Sequence, residues 1–210
     1  MTIQAQIELG LEAIDLAATP QQVALLVQTI EQLQKWNQAF NLTAIRDVNA
    51  MVTLHLLDSL AVIPFLNQGI TLDIGTGPGF PGIPLAIMQP ERPCWLLDSN
   101  GKKTRYVRQL SHELQLNNVT VVDRRVEQWQ PEQPFSIITS RAFASLRKMV
   151  EFSSHLLAPD GVWQAMKGEL PSTEIDELPD SVEVTDIQRL QVPGLEAQRH
   201  LITIRKKLTE

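Results

Sequence analysis

The stretch "LDIGTGPGFPG", Leu72 to Gly82, sets Gly75, Gly77, Gly79 and Gly82 with two prolines directly behind a short apolar run. Glycine at Gly75, Gly77 and Gly79 lets the backbone take positive φ and approach a ligand more closely than a residue bearing a Cβ could. Gly77 to Gly82 also fits G-x-G-x-x-G, the dinucleotide fingerprint, with "GITLDI" reading as the strand before it and "PGIPLAIM" as the helix after it. A tight strand-to-helix turn without a ligand is the plainer alternative. The strand, loop and helix context favours a loop built around a ligand.

In an open α/β sheet the ligand lies outside the carboxyl ends of the strands, where the strand order reverses. The residues expected at such ends are Asp73 with Gly75, Asp98, Asp123 with Val126 and Glu127, and Ser140 with Arg141. Asp98 stands 23 residues beyond Gly75, where a carboxylate can accept hydrogen bonds from both hydroxyls of a ribose. That position does not separate NAD from S-adenosylmethionine. Each residue also has a structural reading: Asp73 as a cap on the glycine loop, Asp98 and Glu127 as helix caps or turn residues, Arg141 as the partner of a nearby acid.

The elements that must carry these residues follow from periodicity. Thr19 and Pro20 form a cap and first turn, after which Val23, Leu26, Val27, Ile30 and Leu33 recur at helical spacing. A second helix is expected from about Asn49, with Val52, Leu56, Leu60 and Ile63 on one side before Pro64 ends it. From Gly69 short apolar runs alternate with helical patterns, the grammar of a parallel sheet. Strands are expected at "ITLDI", "CWLLDS", "VTVVD", "FSIITS" and "GVWQAMK", with helices beginning near Pro81, Asn100, Arg125 and Ser145. "SVEVTDIQRLQV" and "RHLITIRKK" are joined by "PGLEAQ", too short for a crossover, so they should pair antiparallel. The chain thus divides into a helical cap over residues 1–68, packed on the core, and a Rossmann-like core over residues 69–210, together one compact unit. By fold-level analogy a terminal antiparallel hairpin belongs to a methyltransferase sheet rather than to an ordinary dinucleotide domain. A dehydrogenase would also need a substrate region for which no chain remains.

Bulk properties narrow the setting. A lone cysteine, Cys94, forms neither an internal disulfide nor a zinc cluster, which suits a reducing, cytoplasmic compartment. No apolar stretch is expected to reach the roughly 18 residues of a membrane span, and the first residues lack the basic flank of a signal peptide. The net charge of -6 argues against a polyanionic partner until its distribution is read. Residues 1–34 and 169–188 carry acids and no Lys or Arg, so the remainder sets all 18 basic residues against 13 acids.

In order along the chain, "WNQAFNLTAIRD", "LHLLDSL", "LDIGTGPGFPGIPLAI", "LLDSNGKKTRYVRQL", "SRAFASL", "MKG" and "RHLITIRK" closely resemble the bacterial 16S ribosomal RNA guanine-N7 methyltransferases of the glucose-inhibited division protein B family. The likeness runs nearly end to end, although the first 18 residues match no motif and Phe80 stands where many relatives have leucine. It implies a class I S-adenosylmethionine-dependent methyltransferase whose cofactor is bound by Gly75, Gly77, Phe80, Asp98, Val126, Glu127 and Arg141. Gly75 and Phe80 would line its methionine end, Asp98 its ribose, and Val126 and Glu127 its adenine, with Arg141 beside the pocket. The partner would be 16S ribosomal RNA or the small subunit, met by a monomer without metal. Lys102, Lys103, Arg105, Arg147, Lys148, Lys167 and Arg199 are the candidates for its phosphates. His55, His112, His155 and His200 lack metal-ligand spacing and are read as structural or RNA-facing.

The implied chemistry needs no catalytic side chain, because guanine N7 carries an in-plane lone pair and no proton at neutral pH. Cytosine C5 methylation would require a cysteine nucleophile, and Cys94 opens a strand away from the acceptor side. Methylation of an exocyclic amine usually goes with an Asn/Asp-Pro-Pro-aromatic motif, where this chain has "TSRAF". An NAD-dependent oxidoreductase and a non-catalytic RNA-binding module are the rival readings.

Overall fold

The computed structural model describes residues 1–141 and 143–207; Ala142, inside the "SRAFASL" stretch, lies outside the described residues. Two helices open the chain, α1 (Ile3–Ala13) and α2 (Pro20–Phe40). The second starts as its sequence dictates: Thr19 and Gln22 form a reciprocal capping box with Pro20 in the first turn. Val23, Leu26, Ile30 and Leu33 are buried, and Asn41 ends the helix in the left-handed conformation at φ 51°. The first helix was not legible as a motif, yet Thr2 caps it and Ile7 and Leu11 are buried against the rest.

The second expected helix is composite. It runs through α3 (Val48–Met51), a π-helical segment Val52–Leu57 and α4 (Asp58–Leu60), followed by a 3-10 turn Ile63–Phe65. Val52, Leu56, Leu60 and Ile63 are all buried, as their spacing predicts. One expectation is corrected here: Val48–Phe65 spans 18 residues at mean hydropathy 1.5, so by length and composition one helical run could cross a membrane. It spends that apolarity inside the protein, where Leu56, Leu57 and Leu60 join Leu26, Ile30, Ile83 and Leu85 in one cluster.

The sheet comprises β1 (Thr71–Ile74), β2 (Cys94–Asp98), β3 (Val119–Asp123), β4 (Phe135–Ser140), β5 (Leu157–Lys167), β6 (Val182–Leu190) and β7 (Arg199–Lys206). Their order is β3-β2-β1-β4-β5-β7-β6. The first five strands are parallel, β7 is antiparallel to both β5 and β6, and the order reverses between β1 and β4. Helices α5 (Gly82–Met88), α6 (Gly101–Glu113), α7 (Leu146–Ser153) and α8 (Ser172–Asp176) cover the faces. The helix expected near Arg125 is only a 3-10 turn, Val126–Gln128. Trp129 packs against Trp95 and Phe135 immediately afterwards, and Pro131 and Pro134 follow, two residues unsuited to a helix interior.

Close approach of α5 to β2 rests on Gly82, where an added Cβ would lie 2.6 Å from Leu96 Cγ. Gly82→Ala should therefore cost about 1–3 kcal/mol through overpacking. Denaturant unfolding of the variant beside the parent chain measures it.

Candidate functional site

The glycine loop leaves β1 and folds back over β2. Gly75, Gly77 and Gly79 adopt φ of 68°, 60° and 95°. The backbone N–H groups of Gly75 and Thr76 both donate to Leu97 O, at 2.8 and 3.1 Å. Gly77 N donates to Asp98 Oδ2 at 2.9 Å and Asn100 N to Asp98 Oδ1 at 2.8 Å. Asp98 is thus the turn residue of its structural reading, and each oxygen keeps lone-pair capacity for a further donor. Above Gly77 the space is open: a Cβ there would meet nothing nearer than Gly75 O at 4.0 Å. At Gly75 it would lie 3.0 Å from Phe143 Cδ2, so the Phe143 ring roofs this end of the loop.

Asp73 closes the loop from below. Its Oδ2 accepts Thr76 Oγ1 at 2.6 Å and Gly82 N at 2.9 Å, while the buried Oδ1 has no partner among the described residues. Burial lifts its pKa from 3.8 to about 6, against the pull of those two hydrogen bonds and of Arg141. A buried acceptor without a donor is costly. Together with the open face of Gly77 and the free lone pairs of Asp98, it fits a polar ligand carrying hydrogen-bond donors.

Arg141 does more than stand beside this loop. Its Nη1 donates to Leu54 O at 2.9 Å and reaches Asp58 Oδ2 at 3.4 Å, and its Nη2 donates to His55 Nδ1 at 2.8 Å. The guanidinium carbon lies 5.6 Å from the Phe80 ring centroid, and the His55 ring stacks on Phe80 at 5.2 Å. The wide turn of a π-helix frees backbone carbonyls from their usual intrahelical partners, and Arg141 takes up one of them, Leu54 O. Since Nδ1 of His55 accepts from Arg141, Nε2 carries the proton and donates to Thr43 Oγ1 at 2.8 Å. Asp58 receives a second arginine, with Arg199 Nε at 2.8 Å from Oδ1. The pairing of Arg141 with an acid, one of its structural readings, is what the structure holds.

The remaining candidates divide. Val126 turns its side chain into the core, its carbonyl accepts Trp129 N at 3.4 Å, and Glu127 is exposed next to it. Lys102, Arg105, Arg147 and Lys148 are exposed and Lys103 half-buried. Arg147 pairs with Glu151 at 2.8 Å, and Lys167 is held by Glu174 at 2.8 Å and Ala144 O at 3.0 Å. Lys167 and Arg199, expected at RNA phosphates, are each paired with a carboxylate of the chain, Glu174 and Asp58. His200 and His155 meet the backbone oxygens of Gly168 and Trp129. Sequence reasoning missed Asp58 and Thr43; the available signal was an acid inside an otherwise apolar helix, since Asp is almost never fully buried unpaired.

His55 makes a pH dependence. Burial first, and Arg141 second, lower its pKa from 6.5 to about 3. A group depressed in this way contributes stability that is full above its unfolded value and lost as pH falls from 6.5 toward 3. Asp73, raised to about 6, acts in the opposite sense between pH 4 and 6, so the total is not a clean readout. The difference between the parent chain and His55→Gln isolates the histidine. In urea titrations its stability should fall less steeply with acid, by up to about 1.4 kcal/mol per pH unit below 6.5.

Comparison with known proteins adds the lineage of this site. Residues 22–202 match the model of the GidB family, described as rRNA small subunit methyltransferase G. The chain is 48% identical over 190 residues, 90% of its length and 92% of the relative's, to "Ribosomal RNA small subunit methyltransferase G" of Salmonella paratyphi B. The protein of that name from Salmonella typhimurium matches equally well. Among solved structures, the glycopeptide N-methyltransferase MtfA complexed with S-adenosyl-L-homocysteine superposes at TM-score 0.60 and 11% identity, covering 73% of this chain and 87% of that one. The ribosomal protein L11 methylase from Lactobacillus delbrueckii subsp. bulgaricus gives 0.54 at 14% identity, covering 72% and 77%. These two share the fold alone. With a family model spanning most of the chain and relatives near half identical over nine-tenths of it, this protein belongs to the GidB family of rRNA small subunit methyltransferases.

Proposed function

We propose that this chain uses S-adenosylmethionine to methylate N7 of a guanine in 16S ribosomal RNA, acting in the cytoplasm as a monomer without a metal. The observation that carries the reading is the positive-φ glycine loop fastened to Asp98 through Gly77 N, in a chain of this family. When bound, the cofactor supplies an electrophilic methyl on a sulfonium. Gly77 would face it with bare backbone and Gly75 would line it beneath the Phe143 ring, and Asp98 would accept its ribose hydroxyls. Val126 and Glu127 would flank its adenine, and the orphaned Oδ1 of Asp73 offers an acceptor beneath the methionine end.

N7 of guanine is an acceptor with nothing to lose to a base. The site accordingly needs no proton acceptor, and its residues have the work of holding two reactants about 3 to 3.5 Å apart and in line, an effect reaching roughly 7–11 kcal/mol. Arg141 serves this by fixing the end of β4 against the π-segment, rather than by clamping a phosphate. The rival chemistry at cytosine C5 finds no support, because Cys94 is buried at the amino end of β2, about 13 Å of strand from Asp98. Burial also pushes its thiol up to about 12, far from the thiolate a nucleophile requires.

Purified protein incubated with labelled cofactor and unmodified 16S RNA should place the label on guanine N7. Label on another base or position, or none at all, overturns the reading. For the cofactor, Asp98→Ala should weaken S-adenosylmethionine binding roughly 10- to 100-fold, the worth of charge-assisted hydrogen bonds to two hydroxyls. Calorimetry on the folded variant decides, and an unchanged affinity removes Asp98 from the site.

A further inference from the structure

Trp36 and Phe40 sit one turn apart on α2 with ring centroids 5.2 Å apart, and Trp36 also packs on Tyr106 of α6 at 5.5 Å. Tyr106 is fully buried and Trp36 half-buried, but Phe40 is 46% exposed. The two helices run in opposite directions. Thr19 and Gln22, where α2 begins, line a groove with Glu113 and Leu114, where α6 ends. The last turn of α2 and the first of α6 therefore lie at the same edge, and α6 starts there directly after Asp98. Phe40 is held firmly with respect to the site: Asn37 accepts Thr43 N at 2.9 Å and donates to Ile45 O at 3.0 Å, and Thr43 meets His55.

The two stretches that meet at this edge are basic along the sequence, although Asp47 and Asp98 adjoin them and Asp123 faces Gly101 at the start of α6. Residues 32–46 carry Lys35 and Arg46 and no acid, and residues 99–112 carry Lys102, Lys103, Arg105 and Arg108 and no acid, in a chain of net charge -6. Among the described residues the ion pairs engage Arg141, Arg147, Lys167, Arg199 and Arg205, and none of those six. Arg46 donates to neutral acceptors, Asn37 O and the Asn41 side chain. A lone exposed ring is too small for a stable apolar protein interface. An exposed ring at an edge to which two basic stretches lead matches the alternation of base and phosphate along a single strand, and a duplex would keep its base faces stacked away from it.

We propose that Phe40, backed by Trp36, is a stacking platform for an unpaired base of the RNA near the target guanine, with Arg46, Lys102 and Lys103 on the adjoining phosphates. This rests on the RNA reading above and adds to it a ligand subsite built from α2 and α6. The test compares binding of a short oligoadenylate with that of an abasic strand of equal phosphate number, for the parent chain, Phe40→Ala, Phe40→Leu and Phe40→Trp. Phe40→Ala and Phe40→Leu should lose roughly 5- to 150-fold on the oligoadenylate and nothing on the abasic strand, and Phe40→Trp should retain binding. Phe40→Leu, which keeps the apolar bulk, guards against a fold artefact, and cofactor affinity should be the same in all four proteins. Parent-like binding by Phe40→Leu, or equal weakening on both strands, overturns the platform. If the parent chain leaves unmodified 16S RNA unmethylated, the RNA reading falls; if it methylates that RNA and Phe40→Ala binds oligoadenylate as the parent does, the platform alone falls.

Discussion

Asp58 is a carboxylate with 4% side-chain exposure, and two guanidinium groups from the far side of the chain converge on it. Arg141 arrives from the end of β4 and Arg199 from the start of β7. Taking three charges out of water is expensive, and a single pair so buried is often no better than apolar packing. What the arrangement secures is position. The N-terminal helices are fastened at one point to the carboxyl edge of the sheet, where the strand order reverses, and removing Asp58 would leave two guanidinium groups there without their carboxylate. The π-segment just before Asp58 fits the same constraint, since its widened turn presents Leu54 O and the His55 ring to Arg141.

From that anchor the site follows outward. His55 stacks on Phe80, which belongs to the glycine loop, so the loop is braced by the helices as well as by Leu97 and Asp98 of β2. A loop with three residues at positive φ gains little from its own side chains and must be held by its surroundings. Asp73 does this from beneath through Thr76 and Gly82. A reaction that demands alignment rather than proton transfer is served by such bracing, because small displacements of reacting groups cost large factors in rate.

The same economy sorts the basic residues. Those tied to carboxylates, Arg141, Lys167 and Arg199, hold elements together. Lys102 and Arg105 on α6 are exposed and outside any ion pair among the described residues, so their field extends into solvent. Net charge alone would have concealed this, since the acids that make the total negative are concentrated in other stretches of the chain.

The sequence by itself determined the parallel sheet, its terminal hairpin, the glycine loop and the strand-end positions of Asp98 and Arg141. Period-two and period-3.6 patterns and the demand for positive φ are local properties, written within a few residues. Local pattern also misled where packing intervened: the run after Arg125 became a single 3-10 turn because Trp129 is claimed by Trp95 and Phe135. Which cation meets which anion was decided only in three dimensions. Asp58 and Arg199 lie 141 residues apart, and no periodicity links them. Nor could spacing reveal that Thr43, His55, Phe80 and Arg141 form one contiguous set, or that the exposed ring of Phe40 shares an edge with α6. Those contacts depend on how the N-terminal helices dock on the sheet, and docking is fixed by long-range burial and charge pairing that a linear reading does not contain.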